Sequence, residues 1–198
     1  METSVQQRGL LFVINETPSA MEEELNAWYD TEHIPERLAI DGFLSASRHV
    51  SAARARRYLA LYDLTEVGVL QTPSYMAFVG DNFTPWTKRI LARTKVTRVE
   101  AVQTYPGNAI TLRAPHQLVL QWTGVDTYAV TAVETVAKRC FEAKPGVRQL
   151  RIFSGSGADT GSVFAIVAGA GDLEALFDPG AFGDLARHLS LVENYLLY

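Results

Sequence analysis

Internal repetition constrains the fold more strongly than any other feature of this sequence. Asp41-Gly42-Phe43 and Pro145-Gly146-Val147 each follow a helical pattern and open a strand-like run. Tyr58 to Leu64 matches Val163 to Gly169 at the same spacing of about 105 positions. Because the matches occur in the same order along the chain, two copies of one structural unit are predicted.

The two copies differ in length. Leu70 to Tyr75 matches Leu176 to Ala181 at a similar spacing, whereas Arg98 to Tyr105 matches Leu191 to Tyr198 at a shorter one. The first copy therefore carries an insertion, which we place at about Met76 to Ile90.

A short linker separates the two predicted units. Tyr105-Pro106-Gly107-Asn108 has the composition of a turn and lies between the last strand of one copy and the first strand of the next. We therefore define copy one as residues 1–105 and copy two as residues 109–198.

Each copy has the periodicity of strand, helix, strand, strand, helix, strand. The first helix is expected to open at Pro18 and to stop near His33, because Pro35 disfavours helical geometry in the residue before it. The other elements of copy one are predicted at Leu10 to Ile14, Leu44 to Val50, Tyr58 to Leu64, a helix from about Glu66, and Arg98 to Tyr105. Those of copy two are predicted at Gln117 to Trp122, Thr127 to Phe141 (helix), Gln149 to Phe153, Val163 to Ala168, Leu173 to Leu189 (helix) and Val192 to Leu197.

This order predicts an α+β fold of tandem ferredoxin-like βαββαβ repeats. A four-stranded antiparallel sheet with both helices on one face leaves its other face apolar and uncovered. Two copies in one chain can cover each other's open face. The expected architecture is a pseudo-dimeric α/β barrel.

A motif near the end of the first helix carries a family resemblance. The run Trp28-Tyr29-Asp30-Thr31-Glu32-His33-Ile34-Pro35-Glu36-Arg37-Leu38, followed by Gly42-Phe43 and a strand, resembles the helix-end signature of EthD-like proteins of the dimeric α/β barrel superfamily. Copy two has no histidine or proline at the matching Val136 to Glu142. The resemblance implies one site per chain, in which His33 faces a cleft that binds small aromatic or polyketide-like molecules.

His33 is the first candidate catalytic residue, because histidine donates and accepts protons near neutral pH. Asp30 or Glu32 could orient its imidazole. In the alternative interpretation, His33 hydrogen-bonds the last carbonyls of the helix and closes it. His49, at the end of a predicted strand, is the second candidate acid or base.

Six further side chains are candidates for substrate binding. Arg37 could hold a carboxylate or phenolate bidentately, or could pair with a neighbouring glutamate on the surface. The aromatic residues of the insertion could form a lid or pocket wall, or could anchor a long loop. The six candidates are Trp28, Tyr29, Arg37, Tyr75, Phe83 and Trp86.

Composition excludes several classes of partner. A net charge of −4 argues against nucleic acid, and no apolar run approaches the roughly 20 residues of a membrane span. Cys140 and four dispersed histidines form no zinc-type cluster, so neither metal nor cofactor is expected. Glu2 and Arg8 flank an apolar run without a cleavage site, which predicts no signal peptide and a cytoplasmic protein.

The motif and the resemblance together predict a cofactor-independent enzyme. It would act on a small aromatic or polyketide-like molecule by histidine acid/base catalysis, as a lyase, cyclase, isomerase or decarboxylase. One alternative is cofactor-free monooxygenation of a phenolic substrate, as in some relatives. Another is a non-catalytic ligand-binding or stress-associated barrel. The chain is expected to be a monomer or a homodimer.

Overall fold

The computed structural model describes residues 7–198 and shows eight antiparallel strands that close into a barrel. Glu2, used above to predict the absence of a signal peptide, lies outside the described residues. Around the barrel the strand order is β1-β3-β2-β8-β5-β7-β6-β4. The strands are β1 Gly9–Glu16, β2 Phe43–Ser51, β3 Arg57–Leu64, β4 Lys95–Tyr105, β5 His116–Thr123, β6 Val147–Gly155, β7 Ser162–Gly169 and β8 Leu189–Leu197.

The two halves of the barrel have the same internal order. The first half runs β4-β1-β3-β2 and the second runs β8-β5-β7-β6. They join where β2 pairs with β8 and where β4 pairs with β6. This arrangement is consistent with two ferredoxin-like halves, each contributing four strands to one pseudo-dimeric barrel.

The side chains divide into three apolar layers. Every second residue of a strand points into the barrel. The inward side chains of both halves form one interior cluster, which includes Phe12, Leu61, Phe153 and Phe164. The outward faces of the two halves each pack under their own helices. The helices are α1 Glu22–Trp28, α2 Ile34–Leu38, α3 Pro73–Met76, α4 Pro85–Leu91 and α5 Tyr128–Phe141.

The prediction that the first helix stops near His33 is wrong. Helical structure continues from α1 through a π-helical segment, Tyr29–His33, into α2, and we call Glu22 to Leu38 the motif helix. In the π segment, the backbone N–H of Ile34 donates to the carbonyl of Tyr29, five residues earlier. The wider turn accommodates Pro35, whose ring in a regular α-helix clashes with the carbonyl four residues before it. His33 therefore lies within a helix.

The prediction of a second helix in copy two is also wrong. Where a helix from Leu173 to Leu189 was expected, the chain forms only short 3-10 segments, Glu174–Leu176 and Pro179–His188. Gly183 has a φ of 55° and a ψ of −129°, which breaks the helical path. In copy one, by contrast, the insertion forms the short helix α4.

Within residues 7–198, the helices are all too short or too polar to span a lipid bilayer.

Candidate functional site

A cavity of about 270 Å³ lies on the outward face of the copy-one half of the sheet. The motif helix and α4 form one side of it, and β1, β3 and β4 form the other. Ring systems supply much of its wall, from Trp28, Tyr29, Tyr62, Tyr75 and Phe83. A mainly apolar hollow with a few polar groups is the usual form of a small-molecule site.

His33 reaches this cavity from the π segment. Its ring stacks on Trp28 with centroids 4.2 Å apart and meets the edges of Tyr29 and Tyr62 at 5.4 and 6.1 Å. The Nδ1 atom is buried and has no hydrogen-bond partner in the part of the chain that the structure describes. Burial, and then the positive charge of Arg37, hold the pKa of His33 well below its usual value. At neutral pH the imidazole is therefore uncharged and has a free ring nitrogen.

The carboxylates beside His33 in sequence are engaged elsewhere. Glu32 Oε1 accepts hydrogen bonds from Trp28 Nε1 at 3.2 Å, from Thr84 Oγ1 at 2.6 Å and from Thr87 Oγ1 at 3.1 Å. Asp30 pairs with Arg48 at 3.2 Å. The Glu32 contacts hold α4 against the motif helix, so this carboxylate anchors the cavity wall.

Two tyrosine hydroxyls lie in the lining. Tyr29 Oη accepts a hydrogen bond of 2.6 Å from Asn15 Nδ2, and burial raises the pKa of Tyr29 to about 12. Tyr62 is fully buried on β3, and its hydroxyl lies beside that of Tyr29. Burial, and then the neighbouring Tyr29, raise the pKa of Tyr62 well above its usual value. Both hydroxyls therefore keep their protons at neutral pH and can donate them in hydrogen bonds.

Arg37 enters the cavity from α2 and is buried, in contrast to the surface ion pair considered above. Its guanidinium lies over the ring of Tyr75, 5.2 Å from the centroid, and its Nη2 donates to the carbonyl of Phe78 at 3.1 Å. The continuation of the motif helix past Pro35 is what turns this side chain inward.

The insertion supplies part of the wall. Tyr75 and Phe83 line the cavity, together with Val79 and Thr87. Trp86 lies outside it and donates from Nε1 to Glu24 at 3.1 Å. Five of the six sequence-predicted binding residues therefore meet at this cavity, and Trp86 does not.

His49 lies on the opposite face of the sheet. It is fully buried, its position pairs with Leu59 of the barrel interior, and its Nε2 lies 3.1 Å from Ser47 Oγ. Burial, and then the charge of Arg113, lower the pKa of His49 to about 4. The structure does not bring His49 together with His33.

Sequence reasoning missed several lining residues. Asn15, Tyr62, Thr87 and Arg98 all reach the cavity. The alternation of Tyr58, Ala60 and Tyr62 along β3 was a usable signal, because residues two apart share one face of a strand.

The equivalent region of copy two is filled. Strands β1 and β3 pair in the same way as β5 and β7, so Asn15 corresponds to Trp122 and Tyr62 to Val167. Trp122 is fully buried and packs on Phe182 with ring centroids 4.9 Å apart. Apolar side chains thus occupy the space that is hollow in copy one.

In the described part of the chain, no group of three or more His, Cys, Asp or Glu side chains is arranged to hold a metal ion.

Comparison with known proteins shows the fold. No protein-family model matches the chain, and no curated protein is significantly similar in sequence. Among solved structures, an anthrone oxidase-like protein superposes with a TM-score of 0.71 at 12% identity, covering 100% of this chain and 94% of its own. A proposed monooxygenase from Lactobacillus acidophilus gives 0.57 at 12% identity, covering 97% and 94%. A variant chlorite dismutase from Candidatus Nitrospira defluvii gives 0.59 at 12% identity, covering 95% and 91%. The chain thus has the dimeric α/β barrel fold of these proteins.

Proposed function

We propose that this protein is an enzyme that moves protons on a small aromatic or polyketide-like molecule bound in the copy-one cavity. The observation that carries the proposal is the uncharged imidazole of His33 at the wall of an aromatic cavity. A general base must be unprotonated and within reach of its substrate, and His33 meets the first condition at neutral pH. The chemistry requires neither metal nor cofactor.

In the proposed mechanism, the imidazole of His33 accepts a proton from an acidic hydroxyl or an activated carbon of the substrate. The low pKa makes His33 a weak base, so the favoured substrates are those whose conjugate anion is stabilised. The side chain of Tyr62 lines the cavity and keeps its hydroxyl proton, so it can donate a hydrogen bond to such an anion. Return of the proton from His33 to another substrate atom completes an isomerase, cyclase, lyase or decarboxylase cycle.

A second candidate function is cofactor-free oxygenation of a phenolic substrate. It is favoured by the fold similarity to an anthrone oxidase-like protein and to a proposed monooxygenase. The first step is the same, since deprotonation by His33 makes an electron-rich phenolate available to oxygen. Similarity of fold at this level of identity does not carry the reaction over, because one fold hosts many chemistries.

The test is a screen of hydroxylated aromatic and polyketide-like compounds, including anthrone, with the purified protein. Absorbance changes report turnover, and an oxygen electrode reports oxygen consumption. Turnover without oxygen uptake supports the proton-transfer enzyme, and uptake coupled to turnover supports the oxygenase. Tight binding with no turnover across the panel would instead indicate a non-catalytic ligand-binding barrel.

The predicted cytoplasmic location and the monomeric or homodimeric state are part of the same proposal. Cell fractionation and light scattering of the purified chain test them.

A further inference from the structure

Two arginines line the cavity, and they differ in their partners. Arg98 donates from Nη1 to Glu100 at 2.7 Å and from Nη2 to the hydroxyl of Tyr75 at 3.2 Å. Arg37 is 3% exposed and binds the carbonyl of Phe78 through Nη2. Its Nη1 is buried and has no hydrogen-bond partner within residues 7–198. The cavity therefore contains one arginine whose charge is paired and one whose charge is not.

No carboxylate among residues 7–198 forms an ion pair with Arg37 within 4.0 Å. The adjacent Glu36 interacts with Arg37 only over a longer distance. Glu32 accepts hydrogen bonds from Trp28, from Thr84 just before α4 and from Thr87 within it. A buried charge without an ion partner costs free energy, which the carbonyl of Phe78 and the ring of Tyr75 offset only in part. The binding of an anion would supply the missing partner.

The polar groups of the cavity lining are complementary to one another. Arg37 Nη1 can only donate hydrogen bonds and the protonated Tyr62 hydroxyl can donate one, whereas the uncharged His33 ring can accept a proton. The positive charge of Arg37 acts on both His33 and Tyr62, which places the three groups in one electrostatic environment.

We infer that the ligand of this cavity is an aromatic monoanion, a carboxylate or a phenolate, whose charged oxygen binds Arg37 Nη1 and the Tyr62 hydroxyl. Its ring packs among Trp28, Tyr75 and Phe83, and its reactive atom faces His33. This inference rests on the proposed function in using the same cavity, but it requires binding only. The guanidinium rather than an ammonium is suited to this role, because its planar array of N–H groups serves Phe78 and the ligand at once.

Matched pairs of acids and amides test the inference. Benzoate, 2-naphthoate and 9-anthracenecarboxylate, each with its primary amide, are titrated into the protein at pH 7 by calorimetry. Each pair keeps its shape and differs in charge. We expect at least one acid to bind about 10- to 100-fold more tightly than its amide, as for a hydrogen bond to a charged group.

Variants assign the preference to Arg37. In Arg37→Gln the acid should lose its advantage over the amide, and in Arg37→Lys part of it should remain. Arg113→Gln is the matched control, because Arg113 is exposed and lies outside this cavity, and it should bind as the wild type does.

Equal binding of acid and amide, a preference that survives Arg37→Gln, or failure of every acid to bind would each overturn the inference. If Arg37→Gln does not fold, the wild-type comparison and Arg37→Lys still decide. Equal binding of acid and amide in a protein that turns over a neutral phenol would reject the anion and leave the proposed function standing. A strong preference for the acid without turnover of any compound would support the anionic ligand and reject the proposed enzymatic function.

Discussion

The two halves of this barrel share a strand order and differ in what lies on their outward faces. In copy one, the motif helix and α4 enclose a hollow lined by the polar side chains of His33, Arg37 and Tyr62. In copy two, α5 and the 3-10 segments cover a solid layer in which Trp122, Phe141 and Phe182 are buried. One half therefore supplies the candidate site, and the other supplies packing.

The difference arises at a few positions of a common framework. The pairing of the strands places Asn15 of copy one where copy two has Trp122, and Tyr62 where copy two has Val167. A π-helical segment and Pro35 direct His33 and Arg37 toward the hollow, whereas α5 is a regular helix. Two halves with the same topology can thus differ in whether they contain a binding cavity.

The largest expected effect is the loss of the base at His33. His33→Asn should lower turnover of any substrate found in the screen by about 10²- to 10⁴-fold. The variant should remain folded, with a melting temperature lowered only by the loss of the ring that stacks on Trp28. Paired kinetic and melting measurements check this.

His188 of copy two provides the matched control. It is exposed, and its Nδ1 lies 3.2 Å from the carbonyl of Thr123, away from the cavity. His188→Asn should keep wild-type turnover. A drop in stability with retained activity for the His33 variant would show that His33 serves the fold and not the chemistry.

A small-to-large substitution compares the hollow face with the solid one. Val13 pairs with Ala60 and Leu120 pairs with Ala165, so the two occupy equivalent positions. Leu120→Phe should destabilise the protein by about 1 to 3 kcal/mol, because its surroundings are already filled. Val13→Phe should cost less, because Val13 borders the cavity. Urea unfolding measures both.

The same pair also separates stability from binding. Val13→Phe should weaken ligand binding by filling the cavity, and Leu120→Phe should leave the affinity of the folded protein unchanged. Equal losses of stability at the two positions would contradict the difference in packing between the outward faces of copy one and copy two.

The two faces of the copy-one sheet differ in the roles of their histidines. His49 has a pKa of about 4 in the folded protein, because of burial and then of Arg113, against about 6.5 in an unfolded chain. The unfolded state therefore takes up a proton first as the pH falls. The stability that His49 contributes is present above about pH 6.5 and is lost progressively toward pH 4.

This linkage predicts a loss of about 2 kcal/mol from His49 between pH 7 and pH 5. His49→Gln should reduce the difference between the free energies of unfolding at these two pH values by that amount. Chemical unfolding at both pH values measures it. An unchanged pH dependence in the variant would mean that His49 is not buried in its uncharged form.

The smallest expected effect concerns the wall formed by the insertion. Val79 and Phe83 line the cavity, while Met76 nearby is exposed. A saturating ligand should therefore slow proteolytic cleavage between Met76 and Ile90 several-fold, because the loop packs on it. The exposed hairpin at Arg54, which does not line the cavity, serves as the reference site for cleavage. Equal cleavage of the insertion with and without ligand would count against its role as a lid.

Much of the framework was predictable from the sequence, because strand periodicity is local. β3 was predicted at Tyr58 to Leu64 and is Arg57–Leu64, and α5 was predicted within one residue of Tyr128–Phe141. The missing helix of copy two depends on Gly183, whose positive φ no periodicity reveals. The continuous motif helix depends on the hydrogen bond from the N–H of Ile34 to the carbonyl of Tyr29. Both features are backbone conformations that the spacing of apolar and polar residues in the sequence does not indicate.

The candidate site was predictable in part for a related reason. The motif places His33, Trp28 and Tyr29 together through sequence proximity alone. His49 required the strand register, since a shift of one residue moves a side chain to the other face of a sheet. The burial of Arg37 followed from the path of the helix after Pro35, and the contributions of Asn15 and Tyr62 came from strands distant in sequence.

A crystal structure with the tightest-binding aromatic acid of the panel would show directly whether copy one alone binds the ligand. We expect one ligand per chain, in the copy-one cavity, with its charged oxygen within hydrogen-bond distance of Arg37 and its ring beside His33. The region around Trp122 should remain filled by protein. A ligand bound at the equivalent position in copy two, or bound outside the cavity with His33 and Arg37 untouched, would contradict the division of roles between the two halves.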